Sequence, residues 1–210
     1  MFKTPCNILV VGPTSSGKTV FTRRLIADRD DMFEPPPKTV HYCYGAWQPA
    51  FGKMKHVHFH EGLPTRDDLD DWFKGQRGLL VLDDLMDEAG RDKNVLDLFT
   101  KYSHHKGISV VSLLQDLFPG GPHSKTISRN AHYFVIFKNP RDSSAVQALL
   151  LQAYGRKFRE VMDLFKEVTS RPYGYLMFDF HPASDDQLRL WTDILPDEGP
   201  PRVFVPKKGL

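Results

Sequence analysis

A glycine-rich loop near the amino terminus constrains this chain more than any other feature of its sequence. Residues 12–19 read Gly-Pro-Thr-Ser-Ser-Gly-Lys-Thr and match the pattern G-x-x-x-x-G-K-[ST] at every fixed position. The apolar run 7–11 before the loop predicts a buried strand, and Val20, Phe21 and Leu25 after it recur at helical spacing. A loop between such a strand and helix binds anions, because backbone N–H groups and the positive helix end face the ligand.

The loop predicts a site for ATP and Mg²⁺. We expect Lys18 to reach the β- and γ-phosphates and Thr19 to place its hydroxyl on Mg²⁺. The alternative is a glycine-rich turn that matches by accident, which is expected in about one chain of this length in a hundred. The residues predicted to bind the triphosphate are Gly12, Pro13, Thr14, Ser15, Ser16, Gly17, Lys18 and Thr19.

Length and composition limit the remaining possibilities. The chain has 210 residues, enough for one α/β domain, which we place at 1–195, with 196–210 as a flexible tail rich in proline and glycine. The formal net charge of +2 gives no bulk field that would demand nucleic acid. Two cysteines, Cys6 and Cys43, are too few for a disulfide framework, and no apolar run approaches the ~20 residues that span a bilayer. We therefore expect an intracellular, soluble protein with no membrane contact.

Strand and helix patterns alternate along the chain, which predicts a mostly parallel sheet flanked by helices. The helix at 66–74 has Thr65 or Asp67 as its cap, and the helix that carries Val95 and Tyr102 closes at 104–107. The other predicted strands are 39–44, 57–59, 78–82, 108–114, 133–137 and 175–179, and the other predicted helices are 144–154, 157–168 and 185–191.

Two polar positions follow buried strands, where ligands bind in parallel sheets. Asp83 and Asp84 end the apolar run 79–82, and we assign Asp83 to Mg²⁺ and Asp84 to the attacking water. The alternative for the pair is a cap of the next helix, and Asp87 and Glu88 further on are predicted to be solvated. Gln115 ends the next strand, where its amide would sense the γ-phosphate or position water.

These motifs together resemble the FtsK–HerA-type ATPases, and among them the viral genome-packaging ATPases of the poxvirus and Maverick/Polinton type. The resemblance covers about residues 5–180 and rests on the runs 12–19, 79–84, 109–115, 124–133 and 137–142. It implies a RecA-like (ASCE) P-loop NTPase fold. It also implies a homo-oligomeric ring, pentamer or hexamer, that hydrolyses ATP to drive double-stranded DNA into a capsid through non-specific backbone contacts. A capsid or portal protein would be a further partner, and the host nucleus or cytoplasm the location.

The resemblance further implies an arginine finger from the neighbouring subunit. Arg141 follows a strand and a proline and is favoured over Arg129, while Lys125 adds a basic residue nearby. The alternative for each is a solvated surface charge. The sequence departs from the family at Asp84, where many ring ATPases have glutamate, so the shorter side chain would act as the base through a water.

Two smaller patterns carry weaker hypotheses. His56, His58 and His60 alternate, so we expect them to share a strand face. One hypothesis is a metal site. A solvated strand edge is favoured, because no cysteine or carboxylate lies at ligand spacing. Trp47 with Gln48 would stack on adenine or on a neighbouring subunit, or would pack into the core. Loop cations at 53, 55 and 104–106 would line a ring's pore or remain solvated.

The sequence predicts an ATP-hydrolysing DNA motor, and two alternative functions remain. A P-loop nucleoside or nucleotide kinase would use the same loop, and the basic region 156–171 leaves room for its lid. A nucleotide-gated binding module without hydrolysis is disfavoured, because Lys18, Thr19, Asp83 and Asp84 are all intact.

Overall fold

The computed structural model describes residues 1–85 and 90–205, so Asp87 and Glu88 lie outside the described residues. The strands are β1 Phe2–Lys3, β2 Asn7–Val11, β3 Phe33–Glu34, β4 Thr39–Tyr44, β5 His58–Glu61, β6 Gly78–Asp83, β7 Ile108–Leu114, β8 Tyr133–Phe137, β9 Tyr175–Asp179, β10 Leu190–Thr192 and β11 Arg202–Phe204. The helices are α1 Lys18–Ala27, α2 Arg29–Met32, α3 Arg66–Phe73, α4 Lys93–Asp97, α5 Ser103–Lys106, α6 Ser124–Arg129, α7 Ser144–Tyr154 and α8 Phe158–Val168. A π-helical turn, Leu98–Tyr102, joins α4 to α5, and 3₁₀ turns lie at Phe51–Lys53, Gly155–Lys157 and Pro196–Glu198.

Among the described residues, nine strands form one sheet in the order β11-β10-β9-β8-β2-β7-β6-β4-β5. The six strands from β8 to β5 are mutually parallel, whereas β9, β10 and β11 each pair antiparallel with their neighbours. Strand β7 lies between β2 and β6, with Val11 opposite Leu114 and Asp83 opposite Leu113. The ends of the three strands that carry the sequence motifs therefore meet at one edge of the sheet.

Helices cover both faces of this sheet, as the alternation of patterns predicts. Alternate residues of β2 point to opposite sides: Ile8 and Val10 join a core that includes Phe21 of α1, while Leu9 and Val11 join a core that includes the apolar faces of α7 and α8. The central parallel strands are buried on both faces, which explains their continuous apolar sequences. The α/β fold with a mostly parallel sheet is confirmed.

One local expectation is wrong, and the predicted tail contains a strand. Residues 185–191 are not helical: Asp185 and Asp186 accept hydrogen bonds from nearby donors in a turn over 186–188, and Leu190 and Trp191 belong to β10. The tail predicted to be flexible contains β11, which pairs with β10 and is held by an ion pair between Arg202 and the buried Asp193.

The predicted state of the two cysteines and the predicted cap of α3 agree with the structure. Cys6 and Cys43 are free and buried, and burial raises the pKa of both thiols to about 12. Thr65 caps α3 and forms a capping box with Asp68. In the described part of the chain, no helix is long and apolar enough to cross a membrane.

Candidate nucleotide-binding site

The glycine loop joins β2 to α1 in a conformation that side chains would obstruct. Gly17, immediately before α1, has φ +109°, a value that favours glycine. A Cβ atom on Gly12 would lie 2.6 Å from the Ser16 Oγ and 2.8 Å from the Phe137 Cβ. The Ser16 hydroxyl is buried without a hydrogen-bond partner among the described atoms, so a polar group of the loop is left available to a ligand.

Lys18, the first residue of α1, folds back across the loop. Its Nζ donates to the backbone oxygens of Gly12 and Pro13, the latter at 3.0 Å. Burial lowers the pKa of Lys18, and the negative charges of Asp83 and Asp84 oppose that shift. The ammonium is therefore held beside the loop and faces the two carboxylates at the end of β6.

Asp83 is the buried member of the acidic pair, with 5% of its surface exposed. The hydroxyl of Tyr42 on the adjacent strand β4 donates to its Oδ2 at 2.7 Å. Burial raises the pKa of Asp83, and the hydrogen bond from Tyr42 opposes this rise. The negative charge of Asp84 raises the pKa further, whereas the positive charge of Lys18 lowers it. No local sequence pattern indicates Tyr42, because it lies 41 positions from Asp83 and only the β4–β6 pairing brings the two together.

Asp84 and Gln115 contact each other directly. The Gln115 Nε2 donates to the Asp84 Oδ1 at 3.1 Å, and both side chains are exposed to solvent. Asp84 has φ +58°, an unusual value for a residue with a side chain, and the backbone turns there as β6 ends. Because β7 lies between β2 and β6, Gln115 is placed between the glycine loop and the acidic pair.

These side chains surround an open cleft of about 510 Å³. It is large enough for a nucleotide's phosphates and a bound cation, and every sequence-predicted group of the β6 and β7 ends faces it. Tyr173, which no sequence signal suggested, also lines it. The lining residues are Thr14, Ser15, Ser16, Gly17, Lys18, Thr19, Val20, Gln48, Asp83, Asp84, Leu113, Gln115 and Tyr173.

The donor set fits Mg²⁺. The Thr19 hydroxyl and the Asp83 carboxylate both line the cleft and are the hard oxygen ligands that Mg²⁺ prefers, with substrate phosphates and waters completing the shell. In residues 1–85 and 90–205, no cluster of three or more histidine, cysteine or acidic side chains is arranged to hold a metal by protein ligands alone. Thr19 and Asp83 would hold the cation beside the phosphates of a nucleotide bound to the loop.

The two candidate arginines lie in different places. Arg141 lines a cleft of about 430 Å³ together with Thr14 and Gln115, so it adjoins the glycine loop of its own chain. Arg129 and Lys125 line a separate hollow of about 370 Å³ and do not join the nucleotide cleft. Both arginines are exposed.

Two of the three alternating histidines and Trp47 lie in packing clusters, whereas His56 precedes β5, has φ +58° and does not share the strand face. His58 and His60 stack with His41, and His60 also stacks on Trp72; the His41 Nδ1 and His60 Nε2 lie 3.0 Å apart. Burial lowers the pKa of His41 to about 4. Trp47 is 57% exposed but rests edge-on against Phe51 and other aromatic rings, and it is not among the residues that line the nucleotide cleft, whereas Gln48 is.

No family model matches the chain, and no curated protein matches it. Solved structures share its fold at low sequence identity. B204, the DNA-packaging ATPase from Sulfolobus turreted icosahedral virus, aligns with a TM-score of 0.56 at 12% identity and covers 97% of this chain and 98% of its own. The genome packaging NTPase B204 from Sulfolobus turreted icosahedral virus 2, in complex with ATP-gammaS, aligns with a TM-score of 0.53 at 13% identity. The alignment covers 97% of this chain and 98% of that structure's chain. Its complex with AMP gives the same score and identity, covering 83% and 92%. These similarities confirm the P-loop α/β fold.

Proposed function

We propose that this chain is an ATP-hydrolysing enzyme that acts as a homo-oligomeric ring, pentamer or hexamer, and translocates double-stranded DNA into a capsid. The observation that carries the proposal is the convergence of Lys18, Asp83, Asp84 and Gln115 on one cleft beside the glycine loop. The shared fold with B204 structures described as genome packaging NTPases adds support for the DNA substrate. A capsid or portal protein as docking partner, and the host nucleus or cytoplasm as location, are part of the same proposal.

Hydrolysis follows from the positions of the groups. The loop N–H groups bind the phosphates, and the Lys18 ammonium exchanges its loop carbonyl partners for phosphate oxygens. Thr19 and Asp83 would hold Mg²⁺, which would neutralise negative charge on the phosphates. The Asp84 carboxylate accepts a proton from the attacking water, while Gln115, hydrogen-bonded to the same carboxylate, orients that water.

Two features support water rather than a nucleoside or nucleotide as the acceptor. Gln115 and Asp84, which are hydrogen-bonded to each other, line the same cleft as Lys18, so a γ-phosphate bound by Lys18 would lie near polar groups that can orient a water. The basic region 156–171, which would supply a kinase lid, is largely helix α8, whose Val161, Phe165 and Val168 are buried in the core. Arg171 at its end is ion-paired with Asp193. A packed helix of this kind is poorly suited to close over a substrate.

Arg141 is the first candidate for the arginine that stabilises the transferred phosphoryl group. Its cleft includes Thr14 and Gln115 of the same chain, which favours action within its own subunit. Arg129 lies away from this cleft and would reach a phosphate only in a neighbouring subunit. The two arrangements give opposite results when subunits are mixed.

The first experiment measures phosphate release from Mg·ATP with and without double-stranded DNA over a range of protein concentrations. We expect a DNA-stimulated rate that rises faster than linearly with concentration and that is lost in Lys18→Ala, whose triphosphate contact is removed. A rate that ignores DNA and appears only when nucleosides or nucleotides are offered as acceptors would refute the motor and favour a kinase.

A mixing experiment then assigns the arginine. Arg141→Ala and Lys18→Ala are each expected to be inactive alone. If Arg141 acts in its own subunit, the mixture stays inactive, because no subunit has both residues. Recovery of activity on mixing would show that the arginine of one subunit serves the site of the next, as the family resemblance implies. The same mixture with Arg129→Ala tests the second candidate.

A further inference from the structure

Tyr173 is the most exposed large side chain at the site, with 71% of its surface accessible. It lies in the turn before β9 and has φ +59°, a conformation that bulky residues rarely adopt. Its ring lies against the end of the glycine loop, where the Tyr173 Cδ1 is 3.2 Å from the position of a Cβ on Gly17. The ring of Tyr173 is therefore exposed to solvent beside the glycine loop. Packing of the core does not explain why an aromatic side chain lies there.

Behind Tyr173 lies a second cavity of about 320 Å³, which we call the aromatic hollow. Its walls are apolar, and its rim carries the opposite charges of Arg24 and Glu198, which form an ion pair. It shares Gly17, Val20 and Tyr173 with the nucleotide cleft, so the two cavities are continuous along one side of α1. The hollow is lined by Gly17, Val20, Phe21, Arg24, Phe137, Tyr173, Tyr175 and Glu198.

We propose that the aromatic hollow holds the base of the bound nucleotide and that the ring of Tyr173 stacks on it. This inference rests on the proposed nucleotide binding and assigns a residue to it. A molecule whose phosphates occupy the glycine loop has its base within reach of Gly17 and Val20, the positions the two cavities share. Aromatic walls suit the flat face of a base.

The hollow also contains charged residues beside its aromatic ones. Arg24 is ion-paired with both Asp197 and Glu198, so the edge of a base in the hollow would meet a paired charged group rather than a wholly apolar wall. Glu198 is held in place by the Tyr175 hydroxyl and the Leu195 N–H, both of which donate to its Oε2. Trp47, the aromatic residue that the sequence suggested for stacking, lies outside both cavities.

The test separates the base from the phosphates by comparing ATP with inorganic tripolyphosphate, both with Mg²⁺, in calorimetric titrations. Tyr173→Ala is expected to weaken ATP binding by about tenfold, a typical loss for one base–aromatic stack, and to leave tripolyphosphate binding unchanged. Tyr173→Phe keeps the ring and is expected to bind both ligands like the unmodified protein. Trp47→Ala, a matched loss of an exposed aromatic ring, is expected to change neither.

Two results would overturn this inference alone. If ATP binds in a Lys18-dependent way but Tyr173→Ala binds it normally, the base lies elsewhere. If Tyr173→Ala weakens ATP and tripolyphosphate equally, Tyr173 supports the loop and does not contact the base. If the unmodified protein binds neither ligand, or if Lys18→Ala changes neither affinity, the proposed nucleotide site itself is wrong and this inference falls with it.

Discussion

The Tyr42→Phe substitution would test how the protein keeps a buried carboxylate ready for a cation. It removes one hydroxyl, which donates to the Asp83 Oδ2 at 2.7 Å, and keeps the ring packed against Phe51 and Phe59. Asp83 is almost fully buried, so water would not readily replace the lost donor. The effect should therefore fall on the charged form of Asp83 rather than on packing.

The magnitude follows from the geometry. A hydrogen bond to a charged group contributes about 1.5–3 kcal/mol, so the variant should lose roughly that amount of stability when Asp83 is ionised. The pKa of Asp83 should rise further above its ordinary value, because the lost hydrogen bond opposes the rise that burial causes. A carboxyl group whose pKa is raised by folding costs stability as the pH rises through that pKa. The difference between variant and unmodified protein is therefore largest at neutral pH and shrinks as Asp83 becomes protonated in both.

The assay combines urea denaturation from about pH 8 to about pH 4 with the pH dependence of kcat/KM for ATP hydrolysis. We expect the stability difference to shrink toward acid and the acid limb of kcat/KM to move to higher pH. Tyr133→Phe is the matched control: it removes a buried hydroxyl that accepts from the Lys3 N–H at 3.1 Å, far from the cleft. A stability loss that is equal at all pH values, with an unmoved acid limb, would refute the reasoning.

Two further substitutions test the loop and the carboxyl-terminal strand. Gly12→Ala would place a Cβ 2.6 Å from the Ser16 Oγ and should weaken ATP binding by about 1–3 kcal/mol in calorimetric titration. Gly52→Ala is the control and should leave ATP binding unchanged, because no atom lies within 4 Å of its added Cβ. Equal effects of the two substitutions would contradict the argument that crowding at the loop excludes a side chain at Gly12. Asp193→Ala removes a buried carboxylate bonded to two arginines and should cost about 1–3 kcal/mol in urea denaturation. Asp163→Ala, in an exposed pair, should change stability by less than about 0.5 kcal/mol, and a comparable loss there would count against a role for burial.

Local sequence was sufficient for the parts of the site that depend on near neighbours in the chain. The loop between β2 and α1, with Lys18 as the first helical residue, depends on glycine conformations and on helix spacing within about four residues. The polar residues after β6 and β7 were found for a similar reason, because a buried strand must end where its apolar run ends. The predicted roles of Asp83, Asp84 and Gln115 remain proposals, although the structure places all three on one cleft.

Contacts between distant positions were beyond the sequence. Nothing near Tyr42 indicates Asp83, and nothing near Tyr173 indicates Gly17, since each pair meets only after strands far apart in the chain have taken their places. The same holds for β11, which follows a stretch rich in proline and glycine. Its backbone partners are supplied by β10. The histidine alternation of β5 acquires its packing from His41 and Trp72 on other elements.

The sequence by itself thus determined the glycine loop, the alternation of strands and helices, and the residues that end each central strand, since those depend on local conformation and burial. Only the tertiary structure decided that β7 separates β2 from β6, so that Gln115 meets Asp84 beside Lys18. Strand order and register arise from the packing of whole faces and from backbone pairing across the sheet, and that information is spread over the entire chain.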